Sequence, residues 1–304
     1  MKGKTTYGRK SINSQPSVER SAFSFHFQDK QDLLSLYNAI NGSSYENPDD
    51  LEIRTLDDTL YMGMKNDISF LIDSRINLYE EQSSWNPNMP LRGLFYFSRL
   101  YSGYVAEKDL DIYSSSKLEL PFPQFVVFYI GQDRKFKRRT LRLSDSFTPI
   151  DGILPCIECT ADIINIRTGY NDQLVNSYQK LSGYSFLICT IQDFLSLDHS
   201  LKEAFSRAID ICIQQGILAD FLKRYLAEVT NMLLNEYDEK QHMRRLQRDS
   251  IQQGKQYINI LVTKLIEAGR FDDLKRSAED PEFQDQLLKE FHIEEFEDLN
   301  YTDD

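Results

Sequence analysis

An α/β fold, with a mixed sheet flanked by helices and a helical C-terminal extension, is the class this sequence predicts, and three observations lead to it. Residues 67–82 alternate apolar and polar side chains on either side of a two-residue break, the pattern of a β-hairpin. Gln124 to Ile130 is an almost continuous apolar run, expected of a strand buried on both faces. Around these segments apolar residues recur at helical spacing, and beyond Asn171 the helical period dominates.

The 304 residues suffice for one large domain or a domain with an appendage, and 41 % hydrophobic residues fills a core, which excludes a disordered chain. No run approaches the ~18 apolar residues of a membrane span, and the N-terminus lacks a hydrophobic signal core, so a cytoplasmic protein is expected. Four cysteines without metal-ligand spacing fit reduced thiols; Cys156 and Cys159 form a CxxC-like pair with no second pair to complete a zinc site. His26, His199, His242 and His292 are dispersed, which excludes a histidine-based centre. Of the net charge of −12, −10 resides in residues 279–304, so residues 1–278 carry only about −2. Binding of a polyanion by this chain then depends on local basic patches rather than on a global field.

Residues 1–18 are polar, carry Lys2, Lys4, Arg9 and Lys10, and read as a flexible arm. A domain follows over 19–236. Phe23, Phe27, Leu33, Leu34, Tyr37 and Ile40 predict an opening helical element interrupted near Gln28–Asp29 and stopped at Asn41–Gly42. Leu56 to Met64 reads as a first strand leading into the hairpin.

In that hairpin Ile68, Phe70 and Ile72 alternate with polar neighbours, and Ile76 and Leu78 fall in step with Glu80 and Gln82. If Asp73 and Ser74 form the turn, antiparallel partner numbers total 147, which sets Leu71 opposite Ile76, Asp67 opposite Glu80 and Lys65 opposite Gln82. Like charges directly opposed cost about 0.2–1 kcal/mol, so this register calls for a cation. Oxygen donors with no histidine or cysteine nearby suit Mg²⁺, or Mn²⁺, better than zinc. In another register both acids face water and no cation is needed.

Asn86 to Pro90 reads as a loop ending in a helix start, with Leu91, Leu94, Phe95, Leu100, Tyr101 and Tyr104 on one stripe. The positive end of that helix, and Arg92, would point toward the paired acids, where a phosphate would sit. Gly131 to Arg142 is the densest positive stretch, with Arg134, Lys135, Lys137, Arg138, Arg139 and Arg142 against Asp133; it suits sequence-tolerant phosphate binding, or is a solvated loop. Residues 162–166 predict a short strand, and 171–180, 184–195, 200–214 and 217–236 helices. Residues 237–253 read as a charged connecting helix, and 254–304 as a small helical module with an acidic tail from Phe291.

Asp67 followed a hairpin's length later by Glu80-Glu81-Gln82 resembles the D…(E/Q)xK core of the PD-(D/E)XK nuclease superfamily, in the variant ending ExQ. LSLYNAINGSSY, KNDISFLID, LYEEQSSWNPNMPLR and FVVFYIG, in that order within about residues 20–240, resemble the Rpn, or YhgA-like, family of recombination-promoting nucleases and transposase-like proteins. The resemblance implies a restriction-endonuclease-like core and a metal-dependent DNA endonuclease. Asp67 and Glu80 would be its Mg²⁺ or Mn²⁺ ligands, and Gln82 would stand where the superfamily carries a catalytic lysine. Lys65 would restore that charge from the facing strand, and a homodimer would make double-strand cuts easy. The family often carries an acid a few residues before the paired phenylalanines of the first helix; here the matching position is Arg20, beside Glu19. The alternative is a catalytically weakened nuclease fold that binds DNA or protein.

Overall fold

The computed structural model of the chain describes residues 21–54 and 67–293, and for 236 and 238–247 the backbone alone. It divides into two compact units, Met1–Leu234 and Asn235–Asp304. The expected arm at 1–18, the expected strand at 56–64 and Lys65 lie outside the described residues.

Two helices open the first unit, α1 (Ala22–His26) and α2 (Lys30–Asn41). The break between them has a local cause, because the Asp29 side chain accepts the Gln31 and Asp32 N–H groups and starts α2 afresh. Gly42 ends α2 in the left-handed region at φ 62°. The sheet then begins with β1 (Glu52–Ile53), β2 (Ile68–Ile72) and β3 (Arg75–Gln82), all antiparallel. Ile68 pairs with Tyr79, Leu71 with Ile76 and Ile72 with Arg75, the expected register, about a turn in which Asp73 takes φ 53°.

From β3 the chain crosses through α3 (Met89–Glu107) to β4 (Phe122–Tyr129), which runs parallel to β3. Then follow β5 (Arg138–Arg142) and β6 (Thr160–Asn165), and the six-stranded order is β1-β2-β3-β4-β6-β5, with β6 parallel to β4 and β5 antiparallel to β6. The basic stretch is thus half loop and half edge strand. Phe125 to Ile130 are all buried, as an interior strand requires.

Each sheet face has its own core. On one, Ile76, Leu78, Val127 and Tyr129 pack against Met89, Tyr96, Phe97 and Leu100 of α3, each such burial contributing about 1.5–3 kcal/mol. Helix and sheet approach so closely that a Cβ on Gly93 would lie 2.7 Å from the Phe125 ring and 3.1 Å from Cys159 Sγ. On the other face Phe23 contacts Phe27, Phe128 and Tyr184, and Phe70 meets Tyr37 and Tyr79.

Beyond the sheet come α4 (Asp172–Ser177), α5 (Gln179–Ser196), α6 (Leu201–Gln214), α7 (Ala219–Arg224) and α8 (Leu226–Glu267). The helix expected over 217–236 is broken at Tyr225, whereas α8 continues through the expected connector and through Gly254. Strong helix formers fill that run, and one interior glycine costs only about 1 kcal/mol, too little to end it. The two units divide at 234/235.

The second unit adds α9 (Phe271–Ser277) and α10 (Pro281–Glu290). Leu261, Leu265, Leu287, Leu288 and Ile293 form its core, with Phe291 packed against them. Phe291 and Ile293, expected in the acidic tail, therefore belong to the packed module. No helix among the described residues is long and apolar enough to cross a membrane.

Candidate metal and phosphate site

Alternation along β3 sends Ile76, Leu78, Glu80 and Gln82 to the α3 face of the sheet. The first two join its core, and Glu80 is carried in with them, buried to 3 % exposure. Extended by one residue, the β2–β3 register sets Asp67 opposite Glu80, and the two carboxylates feel one another electrostatically. The Asp67 Oδ2 atom accepts the Glu81 N–H at 2.7 Å, which fixes that side chain across the strand end.

Helix α3 closes the site from above. Its first turn brings Arg92 Nη2 to 2.9 Å from Glu80 Oε2, and the same nitrogen donates to the Tyr96 hydroxyl at 2.9 Å. Tyr96 in turn hydrogen-bonds Glu80. Arg92 and Tyr96 are one helical turn apart, and the guanidinium lies 5.6 Å from the Tyr96 ring centroid. Glu80 Oε1 is buried with no hydrogen-bond partner among the described residues.

Burial pushes the Glu80 carboxyl up to about 8; Arg92 pulls it down, Asp67 pushes it further up, and the Tyr96 bond lowers it. The Tyr96 hydroxyl is raised to about 12, first by burial and then by the Glu80 charge. A buried carboxylate oxygen with no donor, one strand from a second carboxylate, suits a hard cation.

Among the described residues no group of three or more His, Cys, Asp or Glu side chains could hold a metal. The donor set is two carboxylates, which matches Mg²⁺, an ion that takes one or two and keeps several waters. Glu80, through Oε1, and Asp67 are the residues that would hold it.

Gln82 and Arg92, both expected near the acids, have defined partners. The Gln82 amide donates to the Met89 thioether at the start of α3, and Arg92 is engaged by Glu80 and Tyr96 instead of facing solvent alone. Glu81 falls on the other face of β3, as its place between Glu80 and Gln82 requires.

The basic stretch is held near the end of β3 by an aromatic hub. Trp85, three residues beyond β3, has the Arg134 guanidinium 5.9 Å and the Arg139 guanidinium 5.6 Å from its ring centroid. Phe136 packs on both Trp85 and Tyr129, and the Tyr129 hydroxyl bonds Asp133 and accepts the Arg134 N–H at 3.1 Å. Gly131 permits this packing, since a Cβ there would sit 2.6 Å from the Tyr129 hydroxyl and 2.7 Å from the Ser83 carbonyl.

Arg134, Lys135, Lys137, Arg138 and Arg139 are all exposed, but they do not act alike. Arg138 is tied to Asp162 on the neighbouring strand by both Nε and Nη2. Lys137 lines a separate depression with Tyr170 and Asn171. Tyr96 and Trp85, the hubs of the two halves of this region, were not among the expected site residues; the spacing of Tyr96 from Arg92 was the available signal for the first.

Comparison with protein families, with curated proteins and with solved structures finds no match to this chain.

Proposed function

We propose that this chain is a divalent-metal-dependent DNA endonuclease of the PD-(D/E)XK type, akin to the Rpn family its sequence resembles. The observation that carries this reading is the buried Oε1 of Glu80, without a hydrogen-bond partner among the described residues, on a strand whose register, extended by one residue, sets Glu80 opposite Asp67. The element order supports it: a helical opening, three antiparallel strands, a helix and a parallel strand are what a restriction-endonuclease-like core requires.

Bound between Asp67 and Glu80, Mg²⁺ or Mn²⁺ would supply an activated water and neutralise charge developing on the phosphate oxygens. Gln82 would orient water or phosphate, and Lys65, which lies outside the described residues and is expected opposite Gln82 from the sequence alone, would contribute the positive charge that glutamine lacks. Arg92 and the Trp85-held Arg134 and Arg139, with Lys135, Lys137 and Arg138, would hold DNA backbone with little sequence preference. Such an enzyme would work in the cytoplasm, and a homodimer would place one site on each strand.

A second reading has its own observation. Arg92 is already paired with Glu80, and a fixed cation at a metal ligand is what a nuclease fold retained only for binding DNA would show. Magnesium-dependent nicking of supercoiled plasmid separates the two. The enzyme reading expects cleavage by wild type and none by Glu80→Ala, with plasmid binding kept. Binding without cleavage in both proteins would establish the second.

A further inference from the structure

The arrangement around Glu80 holds two oxygens of one carboxylate in opposite circumstances. Oε2 is paired with Arg92 Nη2 at 2.9 Å, while Oε1 is buried without a hydrogen-bond partner among the described residues. The Glu80 side chain is 4 % exposed, whereas that of Arg92 is 32 % exposed.

Building on the metal-dependent reading above, we propose that Arg92 is the site's placeholder cation. It occupies Glu80 Oε2 while no divalent ion is bound, competes with that ion for the carboxyl group, and swings outward on loading to take a phosphate oxygen. The Coulomb argument is direct. A divalent ion held by Glu80 and Asp67 would share a carboxylate with a full positive charge in a partly buried setting, and the two repel in inverse proportion to distance and local dielectric constant. The buried side chain cannot leave, and the partly exposed one can. A guanidinium so released keeps its planar set of donors, the geometry that grips phosphate. Tyr96 makes the exchange gradual, because its hydroxyl bonds both partners and keeps one contact with Glu80 after the arginine departs.

A merely orienting Arg92 makes the opposite prediction, since removing it would loosen Glu80 and weaken metal binding. The test is Mg²⁺ titration calorimetry on the full-length protein, comparing wild type, Arg92→Met, Arg92→Lys and Glu80→Gln. Competition requires Arg92→Met to bind Mg²⁺ at least about tenfold more tightly than wild type and Arg92→Lys to stay close to wild type. Glu80→Gln should not bind.

Wild type itself gives a second readout that does not depend on the variants folding. The Arg92 Nε–H resonance in ¹⁵N-arginine protein should move and exchange faster with water when Mg²⁺ saturates the site. Equal or weaker binding by Arg92→Met beside measurable wild-type binding, or an Arg92 resonance unmoved at saturation, overturns the exchange and leaves the metal-dependent reading intact. No Mg²⁺ binding by wild type or Arg92→Met overturns both.

Discussion

Glu80→Gln should turn a pH-dependent weakness of the first unit into a pH-independent one. In the unfolded chain the Glu80 carboxyl titrates at the ordinary 4.5, and in the folded chain burial and Asp67, set against Arg92 and Tyr96, raise it to about 8. The folded state therefore holds the proton more tightly, so the contribution of this residue to stability is complete below pH 4.5 and is lost as pH rises toward 8. The interval from 4.5 to about 8, at about 1.4 kcal/mol per pH unit, sets a ceiling of about 5 kcal/mol on that loss, and relaxation around a buried charge brings the expected value to about 2–5 kcal/mol. Glutamine keeps the shape, presents its carbonyl oxygen to Arg92 and carries no titrating proton. The assay is urea unfolding from pH 5 to 9 followed by the fluorescence of Trp85, the one tryptophan in the chain, which reports on the sheet-bearing unit. Wild type should fall behind Glu80→Gln progressively above about pH 5. A difference between the two that stays constant across the range would refute the assignment of a strained, buried carboxylate at Glu80.

Acid should expose a second buried group. His26 is 3 % exposed and burial lowers its pKa from 6.5 to about 4, so stability should decline as pH falls from 6.5 toward 4, by up to about 3 kcal/mol, and His26→Phe should flatten that decline in the same unfolding assay. Neutralising Arg134 and Arg139 should weaken DNA binding equally across sequences and lower the salt slope by about 2, measured by fluorescence anisotropy at several salt concentrations; an unchanged slope would return these arginines to a solvated role. Truncation after Glu290 removes Phe291 and the buried Ile293, and should cost about 2–5 kcal/mol by circular dichroism melting.

What the sequence made legible was local. A two-residue turn and period-2 alternation determine the β2–β3 register once one face is known to be buried, and that register alone brings Asp67 and Glu80 together. The apolar run ending at Ile130 likewise could be little but an interior strand. That Arg92 lies toward the paired acids was legible, but its direct ion pair with Glu80 was not, because that depends on how closely α3 docks at Gly93. Two-residue β1 is too short to show any period. Residues 237–253 were readable as a helix, but with few apolar anchors their continuity with the segments on either side was not, although high helix propensity should have outweighed the single Gly254. Arg134 and Arg139 were recognisable as charge but not as partners of Trp85, since nothing in linear order says that a loop after β3 will reach the edge strand.

The two rims of the sheet bear on solubility and self-association. A strand at a sheet edge offers unpaired N–H and C=O groups to any other chain, and aggregation begins there. At one edge the described residues give β1 only two residues. At the other, β5 exposes Arg138, Arg139 and Arg142, and a second β5 approaching edge to edge would set those charges against their own copies. The same arginines that favour a polyanion therefore guard this edge of the sheet, and any dimer this protein forms is expected to use a face other than the β5 edge.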